Sequence, residues 1–176
     1  AVVPGQYSGG SAAANRDGQR EQQLVRVEKQ KLLDMEMPYA ILAFQVDGGY
    51  PAILTAPEAR GPLVSLRAPD WTPSILAKEG GGCMAIVPGD APTSLYAILR
   101  CYLGYDFHQA GIFEIACTPT GLDVNPTRLF SLPFAHRLAR IRRGGRDYLV
   151  VASLAQTKAS PEDWSRAGAV YAIPYR

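Results

Sequence analysis

The chain has few of the residues from which disulfide frameworks and metal clusters are built. Its 176 residues include three cysteines and two histidines. The cysteines stand singly at positions 83, 101 and 117, each inside an apolar, strand-like segment. An odd number of widely spaced cysteines argues against both a disulfide framework and a cysteine-based zinc cluster. We interpret the three thiols as small buried side chains, which favours a reducing compartment and predicts a cytoplasmic protein.

Long hydrophobic runs and a large charge of one sign are also missing. No apolar stretch reaches the about 20 residues that a membrane-spanning helix needs, and no secretory signal is visible. The net charge of +2 is too small to predict nucleic-acid binding. No phosphate-binding glycine loop, nucleophile elbow or paired-cysteine motif occurs. We therefore expect neither a membrane nor a nucleic acid among the partners.

Turn residues separate short apolar runs from Pro38 onward. The 17 glycines and 14 prolines are typical of an all-β chain with many turns, and the 47% of hydrophobic residues is enough for one domain with its own core. Only Leu95–Leu99 fits a helix as well as a strand. The predicted strands are Tyr39–Val46, Ala52–Thr55, Leu63–Leu66, Ser74–Ala77, Met84–Val87, Leu95–Tyr102, Ile112–Cys117, Arg128–Leu132, Leu138–Arg142, Tyr148–Leu154 and Ala169–Ile173.

Repeated segments indicate that these strands form antiparallel meanders. A strand, a charged residue, adjacent glycines and a second strand recur around positions 48–49, 80–82 and 144–145. Adjacent glycines favour hairpin turns, because the tightest turns need positive φ. The third strand recurs as well, since Ala110–Ala116 is similar to Ala167–Ile173, and an acidic residue, Trp and a hydroxyl residue follow one another at Asp70 and at Asp163. Repeats of about 40–50 residues predict β-propeller blades.

The fold class that follows is all-β, with a β-propeller-type arrangement of repeated antiparallel meanders. The strands suffice for about three blades, fewer than a closed ring has. The ring is then incomplete, or a second chain completes it, unless the fold is a β-sandwich or an open barrel. Residues 1–20, rich in small and polar residues, are predicted as a flexible arm, and residues 21–176 as the propeller-type domain or part of one. Within residues 21–36 we favour a strand over a helix.

The two histidines are the first candidates for chemistry. His136 opens a predicted blade, whose first strand would line the central channel of a propeller. His108 lies in a loop just before another strand. Imidazole is a common metal ligand and an acid–base group near neutral pH. Both histidines are therefore candidate catalytic residues and candidate ligands of a divalent metal ion, and the alternative for each is a loop or core histidine that makes one hydrogen bond.

The polar loop of residues 156–165 is the second candidate. Lys158 is a candidate catalytic residue, because an ammonium group can donate to a sugar hydroxyl or stabilise an enolate. Asp163 and Trp164 are candidate substrate-binding residues, the first accepting from hydroxyls and the second stacking on a sugar ring. The alternative is that Asp163 caps a turn and Trp164 packs between blades, which the similar pair Asp70-Trp71 favours.

One basic run stands out in an otherwise nearly neutral chain. A charged hairpin edge that discourages unwanted strand pairing is one interpretation. The other is binding of an anion or an acidic sugar, for which Arg137, next to His136, is the candidate substrate-binding residue. The run consists of Arg137, Arg140, Arg142, Arg143 and Arg146.

The stretch from His136 to Tyr171 resembles a known family. The residues that carry the resemblance are His136-Arg137, Tyr148–Leu154, Lys158, Asp163-Trp164-Ser165, Gly168 and Val170-Tyr171. They are similar to a blade of a group of bacterial propeller proteins that resemble the propeller part of fungal aldos-2-ulose dehydratase. The resemblance implies a sugar lyase or isomerase that acts on a keto-sugar. It also implies a divalent metal in the channel, with His136 as a ligand and Lys158 as a nearby polar contact.

Three functional hypotheses remain open at this point. The first is β-elimination or isomerisation of an oxidised sugar, in which a metal polarises the carbonyl and a base removes the adjacent proton. The second is a non-catalytic propeller that binds a glycan or a protein. The third is a structural subunit whose N-terminal arm wraps around a partner.

Overall fold

Strands account for nearly all the regular structure of the described residues. The computed structural model describes residues 29–45, 51–91, 93–101, 106–116, 126–160 and 162–175. The strands are β1 (Pro38–Gln45), β2 (Pro51–Pro57), β3 (Leu63–Arg67), β4 (Thr72–Ala77), β5 (Ala85–Pro88), β6 (Ser94–Leu99), β7 (Gly111–Ala116), β8 (Thr127–Ser131), β9 (Ala135–Arg143), β10 (Arg146–Ser153) and β11 (Val170–Pro174). A 3₁₀ turn (Phe107–Gln109) precedes β7. All eleven strands predicted from Pro38 onward are confirmed, and the all-β fold class with them.

The predictions for the N-terminal segment have a different outcome. Contacts divide the chain into residues 1–31 and residues 32–176, and all the described strands lie in the second unit. The predicted flexible arm lies outside the described residues, as do the predicted strand ends Val46, Tyr102 and Cys117. The described residues 29–36 contain no strand, so the predicted strand is wrong for this part. Within the described chain, no helix has the length and apolar character that crossing a membrane requires.

The strands form three antiparallel sheets, each built from consecutive strands. The first sheet has the order β1-β2-β3-β4, the second β5-β6-β7-β8, and the third β9-β10-β11. These are the predicted meanders. The similar segments Ala110–Ala116 and Ala167–Ile173 contain β7 and β11, each the third strand of its meander. That repeat in the sequence therefore corresponds to equivalent places in the fold.

The first strands of the three sheets are neighbours. β1 contacts β5, and β5 contacts β9. The described strands form no closed barrel, and their arrangement is consistent with propeller-like blades or with sandwich-like layers. The first and third sheets each keep one face outside the shared cores, where Ile41 is 69% and Val170 is 72% exposed. That a second chain completes a ring stays a prediction.

Two hydrophobic clusters hold the second sheet between the other two. One joins Leu54 of the first sheet to Phe113 of the second, and the other joins Ile112 of the second sheet to Leu149 of the third. In β6, residues 95, 97 and 99 belong to one cluster and residues 96 and 98 to the other, because successive side chains of a strand point to opposite faces. Burial on both faces makes β6 continuously apolar, which explains why its sequence fitted a helix as well.

The glycines at 80–82 are not a hairpin turn, so this prediction is wrong. They connect β4 of the first sheet to β5 of the second, and these strands do not pair. The connection is buried, and a Cβ at Gly80 or Gly81 would overlap the backbone of Leu63 or Ala59. Glycine is needed here for close approach of backbones. The predicted turn at residues 144–145 is confirmed, since both glycines have positive φ (58° and 78°) between β9 and β10.

The two Asp-Trp pairs occupy different places in their sheets. Asp70 and Trp71 lie between the third and fourth strands of the first sheet, whereas Asp163 and Trp164 lie between the second and third strands of the third sheet. They are therefore not structural repeats. The interpretation that Trp164 packs between blades is wrong, because its side chain is 62% exposed.

A polar cluster around Asp90 connects the second and third sheets. Its carboxylate accepts hydrogen bonds from the hydroxyls of Tyr96, at 2.9 Å, and Tyr175, at 3.0 Å. Arg140 of β9 forms an ion pair with the same carboxylate at 2.6 Å and donates to the carbonyl of Gly89. The turn before β6 is thus attached to both edges of the third sheet.

Candidate functional site

The strand order brings three loops to the same end of the three sheets. In an antiparallel meander the first strand starts where the second one ends, so the starts of β1, β5 and β9 lie beside the ends of β2, β6 and β10. The hairpin turn at residues 144–145 lies at the opposite end of the third sheet. Loops carried by a rigid scaffold are the usual place for binding residues. We therefore expect a site at the end of the sheets where the first strands start.

A cavity of about 230 Å³ lies at this end of the sheets. Most of its wall is apolar or aromatic, and three polar side chains reach it. This is the usual composition of a small-molecule site, and the volume lies below the roughly 300–1,000 Å³ of sites for drug-sized ligands. The lining residues are Glu58, Met84, Cys101, Phe107, Phe134, His136, Leu154, Lys158 and Trp164.

Three of the six predicted site residues line this cavity. His136 is the second residue of β9, while Lys158 and Trp164 belong to the connection between β10 and β11. The start of a first strand and the loop after a second strand meet here, as the meander geometry requires. The structure therefore brings an imidazole, an ammonium group and an indole to one cavity wall.

His136 is held by residues from two sheets. The hydroxyl of Tyr39, in β1, lies 3.1 Å from His136 Nε2. Arg137 Nη1 donates to the same hydroxyl at 3.5 Å, and its guanidinium carbon lies 5.8 Å from the centre of the Tyr39 ring. The hydroxyl oxygen accepts from Arg137, and towards Nε2 it can either donate or accept, depending on the tautomer of the imidazole. A neutral imidazole of either tautomer therefore satisfies this arrangement.

Electrostatics also keep His136 neutral. Its pKa is lowered from the ordinary value of 6.5, first because partial burial disfavours the imidazolium and second because the guanidinium of Arg137 repels it. A neutral imidazole can accept a proton at pH 7. His136 is thus in the protonation state that a general base needs.

Arg137 makes its contacts within the protein. Besides Tyr39, its Nη1 donates to the carbonyl oxygens of Met84, at 3.4 Å, and His136, at 3.3 Å. Because Met84 directly precedes β5, the side chain of Arg137 contacts all three sheets at the starts of their first strands. These contacts give Arg137 a part in building the cavity wall, and a direct contact with substrate stays a prediction.

Lys158 and Trp164 form a pair at the cavity. Lys158 Nζ lies 3.2 Å from the centroid of the Trp164 ring, within the range of a cation–π interaction. The indole is 62% exposed, and its flat apolar surface suits the C–H face of a sugar ring. The pair therefore combines a hydrogen-bond donor for oxygen atoms with a surface for stacking.

Asp163 orders the loop that carries this pair. One carboxylate oxygen accepts from the backbone N–H of Ser165 at 2.9 Å, and the other accepts from that of Ala159 at 2.9 Å. The pKa of Asp163 is lowered to about 2. The largest cause is a hydrogen bond from the side chain of Ser165, followed by the two backbone hydrogen bonds and then by the charge of Lys158. The turn-capping alternative is observed, and substrate binding by Asp163 stays a prediction because this residue is not in the cavity lining.

His108 is not among the residues of the cavity wall. It lies in the 3₁₀ turn, where its backbone N–H donates to Asp106 at 3.0 Å and its carbonyl accepts from Arg128 at 3.3 Å. Its neighbour Phe107 does line the cavity and packs on Phe134, with the ring centroids 4.4 Å apart. The structure thus places a phenyl ring, and not the second imidazole, at the site.

The described residues do not by themselves fit the divalent metal that the resemblance implies. Across those ranges, no group of three or more His, Cys, Asp or Glu side chains is placed to hold a metal ion. His136 brings one imidazole whose Nε2 is already hydrogen-bonded to Tyr39. We therefore assign no chemical step to a metal, and metal binding stays a prediction.

Sequence reasoning missed Tyr39, Glu58 and Cys101. Tyr39 starts a first strand, the same criterion that selected His136, and could have been found with it. Glu58 follows β2 and supplies the one carboxylate of the cavity lining. Burial, and to a smaller extent the nearby charge of Glu58, raise the pKa of Cys101 to about 11. Cys101 is therefore a neutral thiol in the wall and not a nucleophile.

Comparisons with known proteins leave the site to be interpreted on its own geometry. A scan against protein-family models finds no match to this chain, and a search of curated proteins finds no significant one. Any functional conclusion therefore depends on the cavity and its residues.

Proposed function

We propose that the cavity binds a small sugar that carries a carbonyl group, and that His136 removes the proton from the carbon beside it. The observation that carries the proposal is that His136, Lys158 and Trp164 line one small cavity. These residues supply a base, a cation and a stacking surface. The resemblance of residues 136–171 to a propeller blade similar to that of aldos-2-ulose dehydratase supports the choice of a keto-sugar.

The reaction places a positive charge on His136 and a negative charge on the sugar. When the C–H bond breaks, the proton goes to the imidazole of His136 and the electron pair moves onto the carbonyl oxygen, giving an enolate. The ammonium group of Lys158 stabilises that negative charge. Expulsion of a leaving group from the next carbon would make the protein a lyase, and return of a proton to another carbon would make it an isomerase.

A non-catalytic sugar-binding protein is the second candidate. Trp164 and Leu154 are 62% and 45% exposed although they line the cavity. An exposed aromatic and aliphatic surface beside a cavity suits recognition of a larger glycan. Binding without proton transfer distinguishes this candidate from the first.

The first test is binding. The chain has two tryptophans, so Trp71→Phe leaves Trp164 as the reporter of the cavity. Titration with ketoses, aldoses and uronic acids should give a saturable change in Trp164 fluorescence for at least one class, and Lys158→Met should weaken it. An unchanged spectrum with every sugar would refute the proposal.

The second test is proton transfer. A bound ketose incubated in D₂O should exchange the hydrogen beside its carbonyl, which NMR detects whether the net reaction is a lyase or an isomerase reaction. His136→Gln should abolish the exchange and retain binding, and His108→Gln is the matched control that should retain both. Binding without exchange would support the non-catalytic candidate. Exchange that a chelator removes and a divalent metal restores would show that the implied metal takes part.

A further inference from the structure

Glu58 supplies the one carboxylate of the described cavity lining, and it comes from a different sheet than the other polar groups. It follows β2 of the first sheet, whereas His136 and Lys158 belong to the third sheet. In the part of the chain that the structure describes, no group donates a hydrogen bond to the Glu58 carboxylate or forms an ion pair with it. Its oxygens are therefore open to a ligand in the cavity.

The backbone that carries Glu58 is held from two directions. The N–H of Glu58 donates to the carbonyl of Met37, just before β1, at 2.9 Å. The carbonyls of the residues before and after Glu58 accept from the N–H groups of Cys83, at 3.1 Å, and Gly82, at 2.9 Å. The main chain at Glu58 is thus fixed by neighbouring segments before any ligand binds, which is what a binding group on a rigid scaffold requires.

The glycine connection between β4 and β5 makes this attachment possible. A Cβ at Gly81 would overlap the carbonyl oxygen of Ala59, the residue after Glu58, so the close approach of the two backbones requires glycine. On its other side the connection accepts a hydrogen bond at the carbonyl of Gly82 from the N–H of Cys101, at 3.0 Å. The buried glycines therefore join two residues of the cavity wall, Glu58 and Cys101.

The electrostatics of Cys101 agree with a charge at the cavity wall. Burial is the larger cause of the raised pKa of this thiol, and the charge of Glu58 is the second. Both residues line the cavity. With the ammonium group of Lys158 and the neutral imidazole of His136, the polar groups of the lining carry one negative and one positive charge, which suits a ligand without net charge.

We infer that Glu58 is a specificity-determining residue, which accepts hydrogen bonds from the hydroxyls of a neutral keto-sugar and disfavours acidic sugars. This inference deepens the proposed function and rests on it. An ionised carboxylate can only accept hydrogen bonds, and its two oxygens can accept from two neighbouring hydroxyls of one sugar. Such bonds are stronger than those between neutral groups, because the acceptor is charged.

The same carboxylate acts against a uronic acid. The carboxylate of the sugar has no hydrogen to donate at neutral pH, and like charges placed together oppose binding. Among the described residues of the cavity lining there is no arginine of the basic run, so no guanidinium there offsets this repulsion. The proposed function places the ammonium group of Lys158 at the enolate oxygen, away from the hydroxyls that Glu58 would bind.

Titration of two matched pairs of sugars tests the inference. In the Trp71→Phe background, the fluorescence of Trp164 reports binding of D-fructose and D-tagatose and of D-fructuronate and D-tagaturonate. Each uronate differs from its ketose in one group, since the terminal hydroxymethyl group is replaced by a carboxylate. We expect at least one neutral ketose to bind roughly tenfold or more tightly than its uronate. Tighter binding of the uronate in each pair that binds would overturn the inference.

Variants of Glu58 separate charge from shape. Glu58→Gln keeps the size of the side chain and removes its charge, so the neutral ketose should bind roughly tenfold more weakly and the preference over the uronate should disappear. Glu58→Asp keeps the charge on a shorter side chain, and should bind the ketose more weakly while it retains the preference. Glu162→Gln, which removes a carboxylate outside the described cavity lining, is the matched control and should change neither affinity. An unchanged preference in Glu58→Gln would refute the role of Glu58.

Hydrogen exchange in D₂O distinguishes a failure of this inference from a failure of the proposed function. A preference for the neutral ketose that depends on Glu58, without exchange of the hydrogen beside the carbonyl, would support the inference and refute the proposed proton transfer. Exchange with equal affinities for ketose and uronate would support the proposed function and refute the inference. If none of the four sugars binds, both are refuted.

Discussion

Removing the carboxylate of Asp90 should weaken the attachment of the third sheet to the second. Asp90 accepts hydrogen bonds from Tyr96 and Tyr175 and pairs with Arg140. Tyr96 is only 1% exposed, so in Asp90→Ala its hydroxyl loses a partner that water cannot easily replace. The substitution therefore combines lost hydrogen bonds with an unsatisfied polar group.

The expected loss can be worked out from these contacts. A hydrogen bond to a charged acceptor contributes about 1.5–3 kcal/mol, which gives roughly 3–6 kcal/mol for the two tyrosines. The ion pair adds less than about 1 kcal/mol, because the side chain of Arg140 is 32% exposed. Bonds that share one carboxylate are not additive, and Arg140 can turn to water. We expect Asp90→Ala to lower the free energy of unfolding by about 3 kcal/mol.

Urea unfolding followed by circular dichroism measures this loss, with Asp147→Ala as the matched control. Asp147 pairs with Arg142 at 3.9 Å, and that arginine side chain is 72% exposed. This surface pair should contribute less than about 1 kcal/mol. If Asp90→Ala costs no more than Asp147→Ala, the attachment between the two sheets does not depend on the Asp90 cluster.

Two further predictions concern titratable groups. The lowered pKa of His136 means that the unfolded chain binds a proton more readily than the folded one, so the free energy of unfolding should fall as the pH drops below 6.5; urea unfolding at several pH values should show a weaker fall in His136→Gln than in His108→Gln, and equal slopes would contradict the assignment. Burial raises the pKa of Cys83 to about 12 and that of Cys101 to about 11, so both thiols should resist iodoacetamide in the native chain at pH of about 8 and react after unfolding. Peptide-resolved mass spectrometry measures both, and rapid native labelling of either would contradict their burial.

The strands could be predicted because their signals are local. A Cβ added at Gly144 or Gly145 would meet no atom within 4 Å, so these glycines are needed only for the positive φ that a hairpin of this type requires. β10 is a short β-branched run between turn residues, and its interior residues Leu149 and Val151 are fully buried. Such patterns depend on neighbouring residues alone, so the sequence contains enough to recognise them.

The errors concern which strands pair and which residues meet. Glycines 80–82 resemble a hairpin turn, but the reason for them is the close approach of Leu63 and Ala59 from elsewhere in the first sheet. The Asp-Trp pairs resemble a repeat, but they lie in different connections. One lies between the third and fourth strands of the first sheet, and the other between the second and third strands of the third sheet. Tyr39 lies 97 residues before His136, and no local pattern announces a contact at that distance.

Three of the nine residues that line the cavity could be predicted because they lie close together in the sequence. His136, Lys158 and Trp164 all belong to one meander, so recognising the meander was enough to associate them. The remaining polar group of the cavity lining, Glu58, comes from the first sheet. Its arrival depends on the stacking of separate sheets, which the hydrophobic pattern of a single strand does not determine.

The consecutive order of strands within each sheet has a consequence for synthesis. Every described strand pairs only with a neighbour in sequence, so the contact order within a sheet is low for an all-β protein and loop closure is short. The first sheet can form its hydrogen bonds before the ribosome has made the second. The last event is then stacking, in which one finished meander after another covers the apolar face of its predecessor, and the cavity is completed only when β9 and the loop after β10 arrive.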